Sequence, residues 1–146
     1  MTHDYDPMQD YEVEEDVDPG ILHLVHEVKR TGLAHVCRAL GLNPDFEVFF
    51  VERDGFDGDV GKYIDGTSDR PVVGLDLHLI MDFAEGHGGH WLMHTEATLV
   101  HELAHAFQDS VGFARSEKKA EAFARRWIEK GVADVSILSK RHARPS

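Results

Sequence analysis

An α+β fold is predicted for this chain from three observations. Apolar residues recur at helical spacing over residues 19–41. Strand-like runs cluster between residues 45 and 81. Helical patterning then returns from about residue 98 to residue 130. Helices therefore flank one small group of strands instead of alternating with them, the pattern of an α+β domain. The 146 residues are enough for one domain with one modest core.

Residues 1–18 form an acidic segment. It holds eight acids and no Lys or Arg, and so accounts for eight of the net twelve negative charges. Such a stretch has little to bury and is expected to be a disordered, solvated tail. The domain is expected over residues 19–139, and residues 140–146 as a loose basic tail. Asp18-Pro19 reads as an N-cap with proline at the first helical position. Ile21, Leu24, Val25 and Val28 follow at helical spacing. Val36 and Leu40 continue the apolar side after an expected bend at Gly32, and Gly41 ends the segment. His23, His26 and His35 read as surface or packing residues. Cys37 is the only cysteine and lies among Ala34, Val36 and Leu40. It reads as a buried thiol, and a reducing cytoplasm is the expected compartment.

Residues 45–53 read as a strand, with Phe46, Val48, Phe49, Phe50 and Val51. Asp54-Gly55 and Asp57-Gly58 mark a turn. Residues 59–64 are expected as a short second strand that ends at Asp65-Gly66. Residues 71–81 are expected as a third, with Leu75, Leu77 and Leu79 on one face and Asp76 and His78 on the other. Residues 85–90 (Glu-Gly-His-Gly-Gly-His) read as a mobile loop. His87, His90 and His94 raise the idea of a second metal site. No carboxylate at a fixed spacing accompanies them, so a rim beside a cleft is the favoured expectation.

The stretch Thr98–Ala124 carries the chemistry. His101-Glu102-Leu103-Ala104-His105 is an H-E-x-x-H pattern. On a helix, His101 and His105 lie one turn apart on one face and can hold one zinc ion at roughly 2.0–2.1 Å. Glu102, beside the first ligand, is placed as the general base of a zinc hydrolase. Leu99, Leu103, Ala106 and Phe107 supply an apolar stripe. Gly112 reads as a helix end, and Ser116 as the N-cap of a second helix with Phe123, Trp127 and Ile128 on its apolar side. Glu117 and Glu121 are four apart and share a face. The expectation is that Glu117 completes the metal site while Glu121 orients a ligand histidine. The plain alternative is an exposed helix with two solvated histidines.

Charge and composition narrow the function further. The formal charge of −12 argues against general nucleic-acid binding. No apolar run approaches the roughly 20 residues of a membrane span. The N-terminus has no basic region and no apolar signal core. From Arg115 onward the chain carries nine Lys or Arg and four acids, part of them a solvated helix face.

His101-Glu102-x-x-His105 followed by Glu117-x-x-Ala120-Glu121-x-Phe123-Ala124 resembles the gluzincin-type zinc metallopeptidases. The form is closest to the small prokaryotic ImmA/IrrE-like peptidases and the minigluzincins. The resemblance covers about residues 98–128. It implies a zincin-like fold with an N-terminal helix, a small three-stranded, mostly antiparallel or mixed sheet, an active-site helix and a glutamate helix. It implies zinc held by His101, His105 and Glu117, with Glu102 as general base. Glu121 falls where the family more often has Asp or Asn. In the resembled fold the strand before the active helix is a sheet edge, and substrate pairs with it. One of the loop histidines, or Tyr63, would supply the donor that stabilises an oxyanion. A third histidine of the metzincin kind would fall at Val111, which sets that branch aside.

The expected activity is zinc-dependent hydrolysis of peptide bonds in a protein or peptide substrate. Two alternatives are a zinc-binding regulatory or interaction module with latent or no hydrolysis, and a metal-free helical protein. The acidic segment also raises autoinhibition, with an idle tail as the plainer expectation.

Overall fold

Helix α1 (Pro19–Val28) begins where the Asp18 carboxylate accepts the Gly20 N–H at 2.7 Å, with Pro19 in the first turn. The bend expected at Gly32 is a wide π-turn over Lys29–Leu33, after which α2 (Ala34–Ala39) continues the rod. A π-turn adds one residue to a helical turn and so rotates the rod beyond it. Val25 before it, Leu33 at its end, and Val36 and Cys37 after it all reach the core. Gly41, at φ 70°, ends the rod in the left-handed region that favours glycine. Burial pushes the Cys37 thiol up to about 12. The computed structural model describes residues 13–14, 16–64 and 70–139.

Three strands form one mixed sheet in the order β1–β3–β2. Strand β1 (Glu47–Phe50) runs parallel to β3 (Val72–Leu75), and β2 (Gly61–Tyr63) pairs antiparallel with the other side of β3. The central strand is buried along its whole length, as a strand with a neighbour on each side and a covered face requires. Gly74 sits in its middle because the Phe49 and Phe56 rings press onto the backbone there, and a Cβ would collide with both. These rings, with Val51, Ile64 and Val72, form a small second core separate from the main one.

The third strand is shorter than expected. It stops at Leu75, and residues 77–87 form helix α3 (Leu77–His87) instead of a continued strand. Asp76 is the reason. Its fully buried carboxylate caps α3 by accepting the Leu79 N–H at 3.1 Å and also accepts the Asp54 N–H at 2.8 Å. Leu77, Ile80 and Ala84 then fall on the buried side at helical spacing. The mobile loop expected over residues 85–90 is likewise corrected. Glu85–His87 belong to α3, and only Gly88–His90 link it to α4 (Trp91–Ser110), whose N-cap is His90.

Helix α5 (Glu117–Lys130) has the expected Ser116 cap and ends at Gly131, φ 67°. Its buried Ala120, Phe123 and Ala124 pack in the main core with α4. Trp127 Nε1 donates to Glu96 Oε2 at 2.7 Å and joins the two helices further along. A final turn, α6 (Ser136–Ser139), buries Leu138 in the same core. The acidic segment has an anchored end: Val13 bridges antiparallel to Val51, and the Glu14 N–H donates to the Phe50 carbonyl at 2.7 Å. Residues 1–12 and 140–146 and the expected turn at Asp65-Gly66 lie outside the described residues. Among the described residues no helix is long and apolar enough to cross a membrane.

Asp76→Ala removes the cap of α3 and leaves the Asp54 N–H without its acceptor, so urea unfolding should show a loss of about 2 kcal/mol. The Cys37 thiol stays protonated and covered, so a thiol-reactive reagent at pH 8 should label it only in denaturant; rapid labelling of the native protein would contradict its burial.

Candidate metal centre

Helix α4 divides its surface between two tasks. Leu99, Val100, Leu103, Ala104, Ala106 and Phe107 fill the core, while His101, Glu102 and His105 line a cleft of about 750 Å³. His105 is only 2% exposed, so the solvated-histidine alternative does not describe it. The short link after Gly112 turns the chain back, and the small Ala120 and Ala124 of α5 sit in the core where α5 meets α4. Glu117, in the first turn of α5, is thereby delivered to the two imidazoles.

The three side chains converge. His101 Nε2 and His105 Nε2 are 3.2 Å apart. Glu117 places Oε2 3.0 Å from His101 Nε2 and Oε1 2.7 Å from His105 Nε2. Two nitrogens bound to one tetrahedral zinc ion stand about 3.3 Å apart, so the imidazole spacing fits such an ion. Among the described residues this is the group of three His, Cys, Asp or Glu side chains whose donor atoms all lie within 4.8 Å of one another. His87, His90 and His94 form no such group.

Hydrogen bonding behind the rings decides what they present. The Ser116 N–H, which can only donate, meets Gln108 Oε1 at 3.2 Å, while Gln108 Nε2 faces the Ser116 carbonyl at 3.4 Å. The orientation of the Gln108 amide is therefore fixed. His105 Nδ1, 2.9 Å from the same Oε1, must be the donor of that pair. Neutral His105 thus carries its proton on Nδ1 and points an Nε2 lone pair into the cleft. His101 Nδ1 lies 3.4 Å from Glu121 Oε2, an ion-pair distance, while its Nε2 is the ring nitrogen turned to the cleft and to Glu117. Two Nε2 atoms and a carboxylate meet at one point. A proton on one Nε2 satisfies one contact; a divalent cation satisfies all three.

The electrostatics agree with that need for positive charge. Burial opposes the Glu117 carboxylate, but the positive charge and Nε2–H hydrogen bonds that His105 and His101 offer when protonated outweigh it and hold its pKa below the usual carboxylate value. Glu102 behaves in the opposite way. At 9% exposure, burial pushes its carboxyl upward, and the nearby histidines and the Tyr63 N–H only partly offset that push.

Glu102 also ties the helix to the sheet, since its Oε1 accepts the Tyr63 N–H at 2.8 Å. The edge strand beside the cleft is therefore β2 and not β3, the strand that immediately precedes the helical half of the chain. Gly61 lets β2 lie this close, because a Cβ there would collide with Thr98 Cγ2. Tyr63 does not line the cleft; its hydroxyl donates to Asp109 at 3.1 Å. His94 and Arg115 do line it, whereas His87 and His90 do not. His78, expected on a polar strand face, lies in α3 and meets Glu14 at 3.4 Å. Gln108 is a member of the centre that the H-E-x-x-H pattern does not contain. Its signal in the sequence is a polar residue three positions beyond the second histidine, beside a core stripe.

No family model, curated protein or solved structure matches the chain.

If the three groups hold zinc, the protein should bind about one ion per chain, and His105→Ala should abolish binding. Gln108→Ala should weaken it by roughly 10–100-fold, and Glu121→Ala by less, because the Glu121 contact is longer and exposed. Competition with a chromophoric chelator measures the ranking.

Proposed function

We propose that this chain is a zinc-dependent peptidase with a zincin-like arrangement of active-site helix, glutamate helix and edge strand. The observation that carries the reading is the convergence of the His101 and His105 imidazoles and the Glu117 carboxylate at one point of an open cleft. The resemblance of the Glu117-x-x-Ala120-Glu121-x-Phe123-Ala124 stretch to the glutamate helix of gluzincins supports it. His101, His105 and Glu117 would hold the ion, and Glu121 and Gln108 would fix the two rings. Bound there, zinc supplies Lewis acidity that activates water and polarises a carbonyl oxygen.

The chain's own groups supply the rest. Glu102 lines the cleft one residue from a ligand, with Oε1 held by the Tyr63 N–H. Its other oxygen takes the proton of the attacking water and returns it to the leaving amine. An environment that raises the carboxyl pKa suits both halves of that transfer, since the conjugate acid is then a better proton carrier near neutral pH. Arg115 stands on the cleft wall as a donor toward developing negative charge. β2 is the sheet edge that lines the cleft, through Gly61 and Lys62, and an extended peptide would lie beside it there.

A zinc-binding module without hydrolysis is the second reading. The burial of Glu102 and its hydrogen bond to the strand favour it, because a base so enclosed reaches little beyond its own cleft. One comparison separates the two. The zinc-loaded protein should cleave an unfolded protein, and Glu102→Gln should lower the rate at least about 100-fold while zinc content stays the same. Equal and negligible cleavage by both proteins would leave the binding module standing.

A further inference from the structure

The cleft is chemically uneven along its length. Its far end, near α5, carries Arg115, Glu121, Arg125 and Glu129, whereas the end beside α3 is built from Ile80, Phe83, Met93 and Ala97. Phe83 is 45% exposed and Met93 42% exposed, and among the described residues they are the two exposed large apolar side chains that line the cleft. We infer that this end binds a large apolar side chain, aromatic or long aliphatic, of a peptide substrate. Phe83 and Met93 are then specificity-determining residues. The inference rests on the peptidase reading and adds a substrate class to it.

The Phe83 ring is held in place. His87 stacks on it with ring centroids 4.0 Å apart, and His94 meets it edge-on at 5.1 Å. Both imidazoles are themselves anchored: His87 Nδ1 donates to the Phe83 carbonyl at 3.1 Å, and His94 Nε2 to the Gly88 carbonyl at 2.8 Å. Met93 is seated against Gly89, where a Cβ would come within 2.7 Å of its Cε. A fixed apolar surface loses little conformational entropy when a ligand covers it, so its exposed area is available for binding. The occupant is a side chain of the peptide and not a separate partner, because these residues are a wall of the cleft that holds His101, Glu102 and His105.

The spacing sets which side chain. His94 precedes His101 by seven helical residues, about 10 Å along the α4 axis. An extended peptide advances about 3.3 Å per residue. For a peptide laid parallel to α4, that distance corresponds to about three residues between the apolar side chain and the bond at the metal centre.

The test uses zinc-loaded full-length Glu102→Gln protein and a set of Gly/Ser/Ala decapeptides in which a single Phe is walked through the sequence. Binding is measured by calorimetry and cleavage with the unsubstituted protein. At the favoured position, Phe should bind about tenfold or more tightly than Ser. A further Phe83→Ala, Met93→Ala replacement, with unchanged zinc content, should erase that preference. Equal binding of all peptides, or a preference that survives the double replacement, overturns the inference. So does a concentration-dependent dimer that the same replacement abolishes, since a second copy would then be the occupant. Cleavage without side-chain preference overturns this inference and leaves the peptidase reading intact. A Phe83-dependent binding preference without cleavage supports the apolar subsite and overturns only hydrolysis.

Discussion

The bridge made by Gln108 underlies the geometry of the whole centre. One carboxamide, 1% exposed, accepts from His105 Nδ1 and from the Ser116 N–H and donates to the Ser116 carbonyl. It fixes the tautomer of a ring on α4 and the starting point of α5. Glu117 is the next residue after Ser116, so the same bridge sets where the third carboxylate begins. Buried amides of this kind act only when fully satisfied, because any unmade bond costs the desolvation of the group. Here every contact serves the placement of the cluster.

The cluster was legible in the sequence because its parts are local. His101 and His105 lie one turn apart on any helix, and Glu117 follows a loop short enough to force α5 back onto α4. Gln108 was not legible, because its partner is a backbone group whose position depends on that turn. The strand assigned to residues 71–81 shows a different limit. Leu75, Leu77 and Leu79 alternate as a strand would, while Leu77, Ile80 and Ala84 are spaced as a helix would be, and the two patterns share residues. Asp76 broke the tie through a cap and a long-range contact to Asp54 that no local window contains. The parallel pairing of β1 with β3 depends on the same kind of non-local contact, as does the anchoring of Val13 beside Val51.

Two opposing demands meet at Glu102. Its side chain lines the cleft, and the fold requires β2 to press against α4 at Gly61 and Thr98. The Tyr63 N–H reconciles them by giving one oxygen of the carboxylate a partner inside the fold. Burial without that partner would leave the charged form still less favoured.

The sequence positions of these contacts also bear on the order in which the protein assembles. The three converging ligands lie within residues 101–117 of one helical hairpin, and contacts of such low sequence separation form among the earliest events of folding. The sheet needs β1 and β3 to meet across about two dozen residues, and the tie from Tyr63 to Glu102 spans 39. Loop closure over those spans carries a larger entropic barrier. The hairpin can therefore gather its ligand atoms before the sheet docks, while the restraint on Glu102 arrives only with the sheet. If the cluster holds an ion, that ion meets its three side chains on the hairpin before the neighbouring carboxylate has been set in its final orientation.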